Sequence, residues 1–192
     1  MSRPFRRTRG GVLVQLDAHE RALLGRLLDD VDGLLAADAD ERDGVSSNAS
    51  ASLDDDLMAV LEAQLTPRPP SDPAVARLLP DGNREDPELA AGYRRLSEHG
   101  LRERKRAALG RASSALRRPA PVLLDTSEAL ALLKGLTDVR LVLGERLGLR
   151  TDEDAELLHD VVAAGPADPL AAAAALYDAL TWWQESLVSA LR

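Results

Sequence analysis

Between Thr126 and Leu147 the chain sets Leu130, Leu132, Leu133, Leu136, Val139, Leu141, Val142, Leu143 and Leu147 at spacings that point in nearly every direction around an α-helix. A helix that is apolar on most sides must be covered on most sides, so the segment about 126–147 is expected to be the central helix of a bundle. Asp125 followed by Glu128 is a capping box that opens this helix, and Gly148 suits its C-terminal end. The length of 192 residues allows one domain with a sizeable core and is short for two, so residues 1–192 are read as a single helical domain. Aromatic residues make up only 3%, which leaves Leu, Val and Ala to build the core and favours helices.

Other elements are punctuated in the same way. Asp17 and Glu20 form a second capping box, followed by Leu23, Leu24, Leu27, Leu28, Val31, Leu34 and Leu35 on one helical face to about residue 36. Residues 38–52 carry acidic residues, Ser, Asn and Gly without apolar periodicity and read as a mobile acidic loop. Leu53, Leu57, Val60, Leu61 and Leu65 predict a helix over about 53–65, ended by the proline cluster at 67–70, and Ala74 to Leu79 add a turn or two. Asp86-Pro87 starts a helix expected to reach about Arg117, with Gly100 as a place where it could break. Thr151-Asp152 and Asp168-Pro169 open helices over about 151–165 and 169–191, which completes a mainly α bundle of about six helices. One short strand at Val12–Leu16 could pair with 121–124, and residues 1–10 read as a basic tail.

Charge is segregated along the chain. The net charge of -8 argues against a protein that coats nucleic acid over its whole surface. Ten acidic residues stand against one arginine from Asp29 to Asp56, whereas Arg94 to Arg118 is strongly basic. One reading makes both blocks solvated helix faces and a solvated loop. A sharper one makes Arg94, Arg95, Arg102, Arg104, Lys105, Arg106 and Arg111 a docking surface on the outer side of their helix, with the acidic block guarding it.

Several chemistries are excluded or disfavoured. The chain has no cysteine, which removes disulfides, thiolate metal sites and thiol nucleophiles. His19, His99 and His159 stand far apart; Glu156 and His159 have the i, i+3 spacing of a di-iron bundle ligand pair, but the second such pair is missing. No phosphate-binding glycine loop or nucleophile elbow is present, so no catalytic residue, cofactor or metal is expected. No apolar run is long enough for a membrane span and no signal peptide follows the basic tail, which implies a cytoplasmic protein without a membrane partner.

Within the central segment, Asp138 and Arg140 point about 160° apart on a helix and cannot pair with each other. Each needs another partner: a structural ion pair or hydrogen bond, or a place in a ligand pocket where Gly144 leaves room. Trp182 and Trp183 are separated by about 100° on a helix. Trp183 continues the apolar line through Leu176, Leu180 and Leu187, and Trp182 falls elsewhere, either under another helix or as an interface anchor.

The motifs Arg77-Leu78-Leu79-Pro80-Asp81, Asp86-Pro87 with Tyr93-Arg94-Arg95-Leu96, Leu136 to Leu147, and Tyr177-Asp178 through Val188 resemble an actinobacterial family of unknown function. Some of its members are described as transcriptional regulators linked to stress responses through protein contacts. The resemblance runs from Gly11 to Leu191 and is most specific over Asp138–Leu147, which includes Arg146 as a further structural or pocket candidate. Thr137 stands where members often carry Asn, and without cysteine any thiol-sensing role could not operate here. The expectation is a non-enzymatic regulatory protein acting on a protein partner such as the transcription machinery, with a homodimer also open. The alternatives are a small-molecule sensor and DNA binding through the basic helix 94–118; nucleic acid is disfavoured by the acidic whole.

Overall fold

A computed structural model describes residues 4–47, 69–82, 86–149, 154 and 169–192, with the side chains of 42–47, 87, 95 and 169 left aside. In chain order the elements are β1 (Phe5–Thr8), β2 (Gly11–Val14), α1 (Ala18–Ser47), α2 (Pro73–Leu78), α3 (Pro87–Leu116), β3 (Leu123–Leu124), α4 (Thr126–Arg146) and α5 (Pro169–Leu191). The expected helix over 53–65 lies outside the described residues, as does that over 151–165 apart from helical Asp154.

The helix starts follow from local hydrogen bonding. Asp17 and Glu20 exchange amide-to-carboxylate bonds of 2.8 Å each, and Asp125 and Glu128 do the same at the head of α4. Asp86 accepts the amides of Glu88 and Leu89 ahead of α3, where Pro87 has no amide to satisfy. Gly148 takes the left-handed conformation just beyond α4, at φ +71°. Helix α3 is continuous through Gly100.

Helix α4 is central as its pattern requires: it packs against α1, α2, α3 and α5 and touches β2 and β3. Leu132, Leu136 and Val139 are buried, while Leu130 and Leu141 stay exposed along the one stripe the neighbours leave open. Gly135 permits the α1–α4 approach, since a Cβ there would stand 2.5 Å from a methyl of fully buried Leu28.

The sheet has order β1-β2-β3 and is antiparallel. The β2–β3 pairing follows the expected 12–16 with 121–124, in the register Val12 to Leu124 and Leu13 to Leu123. Strand β1 corrects the basic tail. Phe5 is buried, its amide donates to Ser186 Oγ at 3.2 Å, and the Ser186 hydroxyl donates back to Phe5 O. A single apolar residue among arginines gave no strand signal, but it is enough to pin the chain against α5.

The acidic loop is also corrected in its first part. Helix α1 runs on to Ser47, and residues 48–52 lie outside the described residues. Apolar periodicity stops near residue 36, yet Asp38 is buried against Arg102, so an ion pair replaces hydrophobic burial as the reason for the helix to continue.

Gly11 sits at φ +130°, and a Cβ there would lie 2.1 Å from the Leu124 carbonyl oxygen. Gly11→Ala must distort the β2–β3 contact and is expected to cost about 2 kcal/mol in a urea unfolding titration; a stability equal to the wild type would contradict this close approach.

Candidate functional site

The cations nominated as a docking surface do not share one fate. Along α3, Arg102, Lys105 and Arg106 turn inward, toward the carboxylates of α1 and α4. Arg102 is 5% exposed; it donates to Leu35 O at 2.6 Å, Asp38 Oδ2 at 2.7 Å and Glu98 Oε1 at 2.9 Å. Arg106 pairs with Asp32 at 2.9 Å, and at the far end of α3 Arg117 pairs with Asp29, which also accepts the Ser113 hydroxyl at 2.7 Å. These contacts run antiparallel along α1 and α3 and join the two charge blocks, from the buried Arg102–Asp38 pair to the exposed Arg117–Asp29 pair.

Arg94 pairs with Asp81 and lies 3.8 Å from Glu98. Arg104 is exposed, and Arg111 is exposed while donating to Ser127 Oγ at 3.1 Å. Arg95 lies within α3, and its side chain is outside the described residues. The free flank expected of this helix is therefore corrected: its centre faces other helices, because two complementary charge stripes satisfy each other more cheaply than each would in isolation at a packed interface.

Asp138 and Arg140 diverge as their spacing demands. Asp138, 3% exposed, takes a 2.6 Å hydrogen bond from Lys105 Nζ. Burial pushes its carboxyl above the ordinary range, and the hydrogen bond and charge of Lys105 hold back part of that rise. Asp138 thus belongs to the α3–α4 contact and lines no groove with Arg140.

Arg140 faces α5. Its Nη1 donates to Gln184 Oε1 at 2.6 Å, its Nη2 donates to the Tyr177 hydroxyl at 3.3 Å, and the guanidinium lies 5.1 Å from the Tyr177 ring centroid. Gln184 is itself oriented by donating Nε2 to Thr137 Oγ1 at 3.0 Å, and the Thr137 hydroxyl donates to Leu133 O. A Cβ at Gly144 would stand 3.7 Å from the Tyr177 ring, an ordinary contact, so the ring fills the space beside residue 144 without requiring a glycine there. Tyr177 and Gln184 were not singled out from the sequence as site residues; their i, i+7 spacing places both on the α4-facing side of α5.

Arg146 donates to Asp72 at 2.5 Å, and neighbouring Glu145 pairs with Arg77 at 2.8 Å, which ties α2 to the end of α4. Burial raises the Asp72 carboxyl, but the Arg146 hydrogen bond and the α2 amides outweigh it, so Asp72 titrates below its ordinary value. Trp182 is 42% exposed and Trp183 3% exposed, the division their angular separation implies. His19 and His99 are exposed, and the Glu156–His159 pair lies outside the described residues.

An open groove of about 570 Å³ lies along α5 beside Arg140, with Thr181, Gln184, Glu185, Ser189 and Arg192 among its lining. Among the described residues no group of three or more acidic or histidine side chains could hold a metal ion, and no helix is long and apolar enough to cross a membrane.

The fold and this site define a mainly helical protein with no assembled metal centre among its described residues, and its sequence places it in a family. The chain belongs to the family described as a domain of unknown function, DUF2017, whose pattern matches residues 2–191. No curated protein and no solved structure matches it.

Lys105→Met leaves the Asp138 carboxylate buried without a counter-ion, and the expected cost near neutral pH is about 3 kcal/mol. In that variant the carboxyl pKa rises further above its unfolded value of 3.8, so the folded state binds a proton more readily than the unfolded state. The deficit relative to wild type therefore shrinks as pH falls from neutrality through the raised pKa, which urea unfolding at a series of pH values measures; a deficit independent of pH would contradict the pairing.

Proposed function

We propose that this chain is a non-enzymatic, cytoplasmic regulatory protein that works through protein–protein contacts in transcription-related control. The observation that supports this reading most is Trp182, a large ring held out on the solvent side of α5 while its neighbour is fully packed. Indole rings with this placement concentrate binding energy when a partner covers them. Leu130 and Leu141 of α4 add exposed apolar surface on the neighbouring helix.

A protein partner is favoured over DNA by the pairing within the chain. Arg94, Arg102, Lys105 and Arg106 already have carboxylates, which leaves few of the basic residues of α3 to neutralise phosphates. The assignment to transcription, and to an actinobacterial host, rests on the resemblance of the Asp138–Leu147 stretch and its companion motifs. Self-association through Trp182 is the same chemistry with a second copy as the partner.

Affinity capture from the native host with wild-type protein and Trp182→Ala side by side tests the reading. The variant is expected to retain the wild-type circular dichroism spectrum and to lose the bound proteins, components of the transcription machinery among them. An identical set of bound proteins would overturn the role of Trp182. Fluorescence anisotropy with a duplex oligonucleotide should show no binding at about 50 mM salt; tight binding that collapses by about 200 mM would favour DNA instead.

A further inference from the structure

Among the described residues, the buried or half-buried cations fall into two groups. Arg94, Arg102, Lys105 and Arg106 each have a carboxylate, and Arg21 donates to the main-chain carbonyls of Leu116 and Arg118 at the end of α3. A half-buried guanidinium without a counter-ion carries a desolvation cost that neutral acceptors offset only in part. Among the described residues Arg21 shares that position, and so does Arg140, which also borders the groove along α5. Its partners are the neutral side chains of Gln184 and Tyr177, and its Nε–H is shielded from solvent without an acceptor.

The same guanidinium is held rigidly. Gln184, Thr137 and the Tyr177 ring fix its plane, so little side-chain entropy remains to be lost when an anion arrives. Of the five N–H donors of an arginine, the two bonds to Gln184 and Tyr177 use one hydrogen on each Nη, which leaves a second hydrogen on each. A carboxylate oxygen can accept a charge-assisted bond from such a hydrogen.

We propose that the groove beside Arg140 is a binding site for a small monocarboxylate, whose carboxylate pairs with the Arg140 guanidinium while its body lies along α5 between Thr181 and Arg192. The groove volume of about 570 Å³ lies within the range of small-ligand sites. The side chains of Arg140 and Arg192 stand against that of Glu185 in the lining, leaving one net positive side-chain charge; this suits a monoanion over a dianion or phosphate. Val188 supplies apolar lining for the ligand body.

The site goes beyond the protein contacts proposed above and can be tested without a partner. Benzoate and butyrate serve as probes on the full chain, with succinate and inorganic phosphate for comparison, read by titration calorimetry and by tryptophan fluorescence, for which Trp182 next to Thr181 is a built-in reporter. A monocarboxylate is expected to bind saturably with a Kd of about 1 mM or tighter. Arg140→Gln should weaken it about tenfold, and Arg192→Gln about threefold. Arg104→Gln, which removes an exposed cation on α3, should leave it unchanged. If Arg140→Gln does not fold, Arg192→Gln and Thr181→Val carry the test, each weakening binding in a protein of wild-type melting temperature. No saturable signal up to about 20 mM, phosphate binding as tightly as the monocarboxylates, or an equal loss in Arg104→Gln would each overturn the proposal.

Discussion

The Arg102 guanidinium, enclosed by Leu35, Asp38 and Glu98, is the contact on which the arrangement of the long helices depends. A buried cation is tolerated only where carboxylates and carbonyls meet it, and that condition is fulfilled at one relative placement of α1 and α3. The Arg106–Asp32 pair lies a turn further along the same line and repeats the restriction. Lys105, between them in sequence, reaches the other way to Asp138 and fixes α4 against the same helix. Helix α3 is thus a charged strut between α1 and α4. Apolar packing supplies the bulk of the stabilisation at these interfaces, and the ion pairs choose their register.

That arrangement changes what the charge segregation means. A chain with separate acidic and basic blocks invites the idea of a cationic face awaiting a partner. Here Arg102, Arg106 and Arg117 pair with Asp38, Asp32 and Asp29 of the acidic block, and Arg94, Lys105 and Arg118 take carboxylates elsewhere in the chain. Exposed apolar side chains stand on α3 at Leu89, Tyr93 and Leu96 as well as on α4 and α5, where Leu141 and Trp182 are exposed and Arg140 has only neutral companions among the described residues. The two proposals use α5 differently: one needs an indole covered by another protein, the other an anion beside a guanidinium.

Much of the fold was legible because its signals are local. Both capping boxes, the Asp86-Pro87 start and the terminal Gly148 depend on residues within one helical turn, and each forms the bonds its sequence implies. The all-round apolar pattern of α4 placed it correctly at the centre. Strand β1 was not legible, because Phe5 alone carries its burial and its partner Ser186 lies at the far end of the chain. The extension of α1 past residue 36 was missed because apolar spacing cannot see an ion pair; Asp38 is held by a residue on another helix.

The candidate site shows the same division. Angular spacing alone separated Trp182 from Trp183 and Asp138 from Arg140. It did not say what each would meet, since Lys105, Tyr177 and Gln184 come from other helices and only tertiary packing brings them in. The sequence does carry the pairing in outline: Asp29 and Asp32 share a helical face, as do Arg102 and Arg106, which sets two charged stripes of opposite sign at helical spacing. The measurement that bears most directly on the internal pairing is a double-mutant cycle on Arg102 and Asp38, using Arg102→Met and Asp38→Leu in chemical unfolding. A coupling of about 2 kcal/mol or more that persists from about 0.1 to 1 M salt is predicted for a pair buried between helices. A coupling below about 0.5 kcal/mol, or one lost in salt, would contradict the account and return Arg102 to the surface.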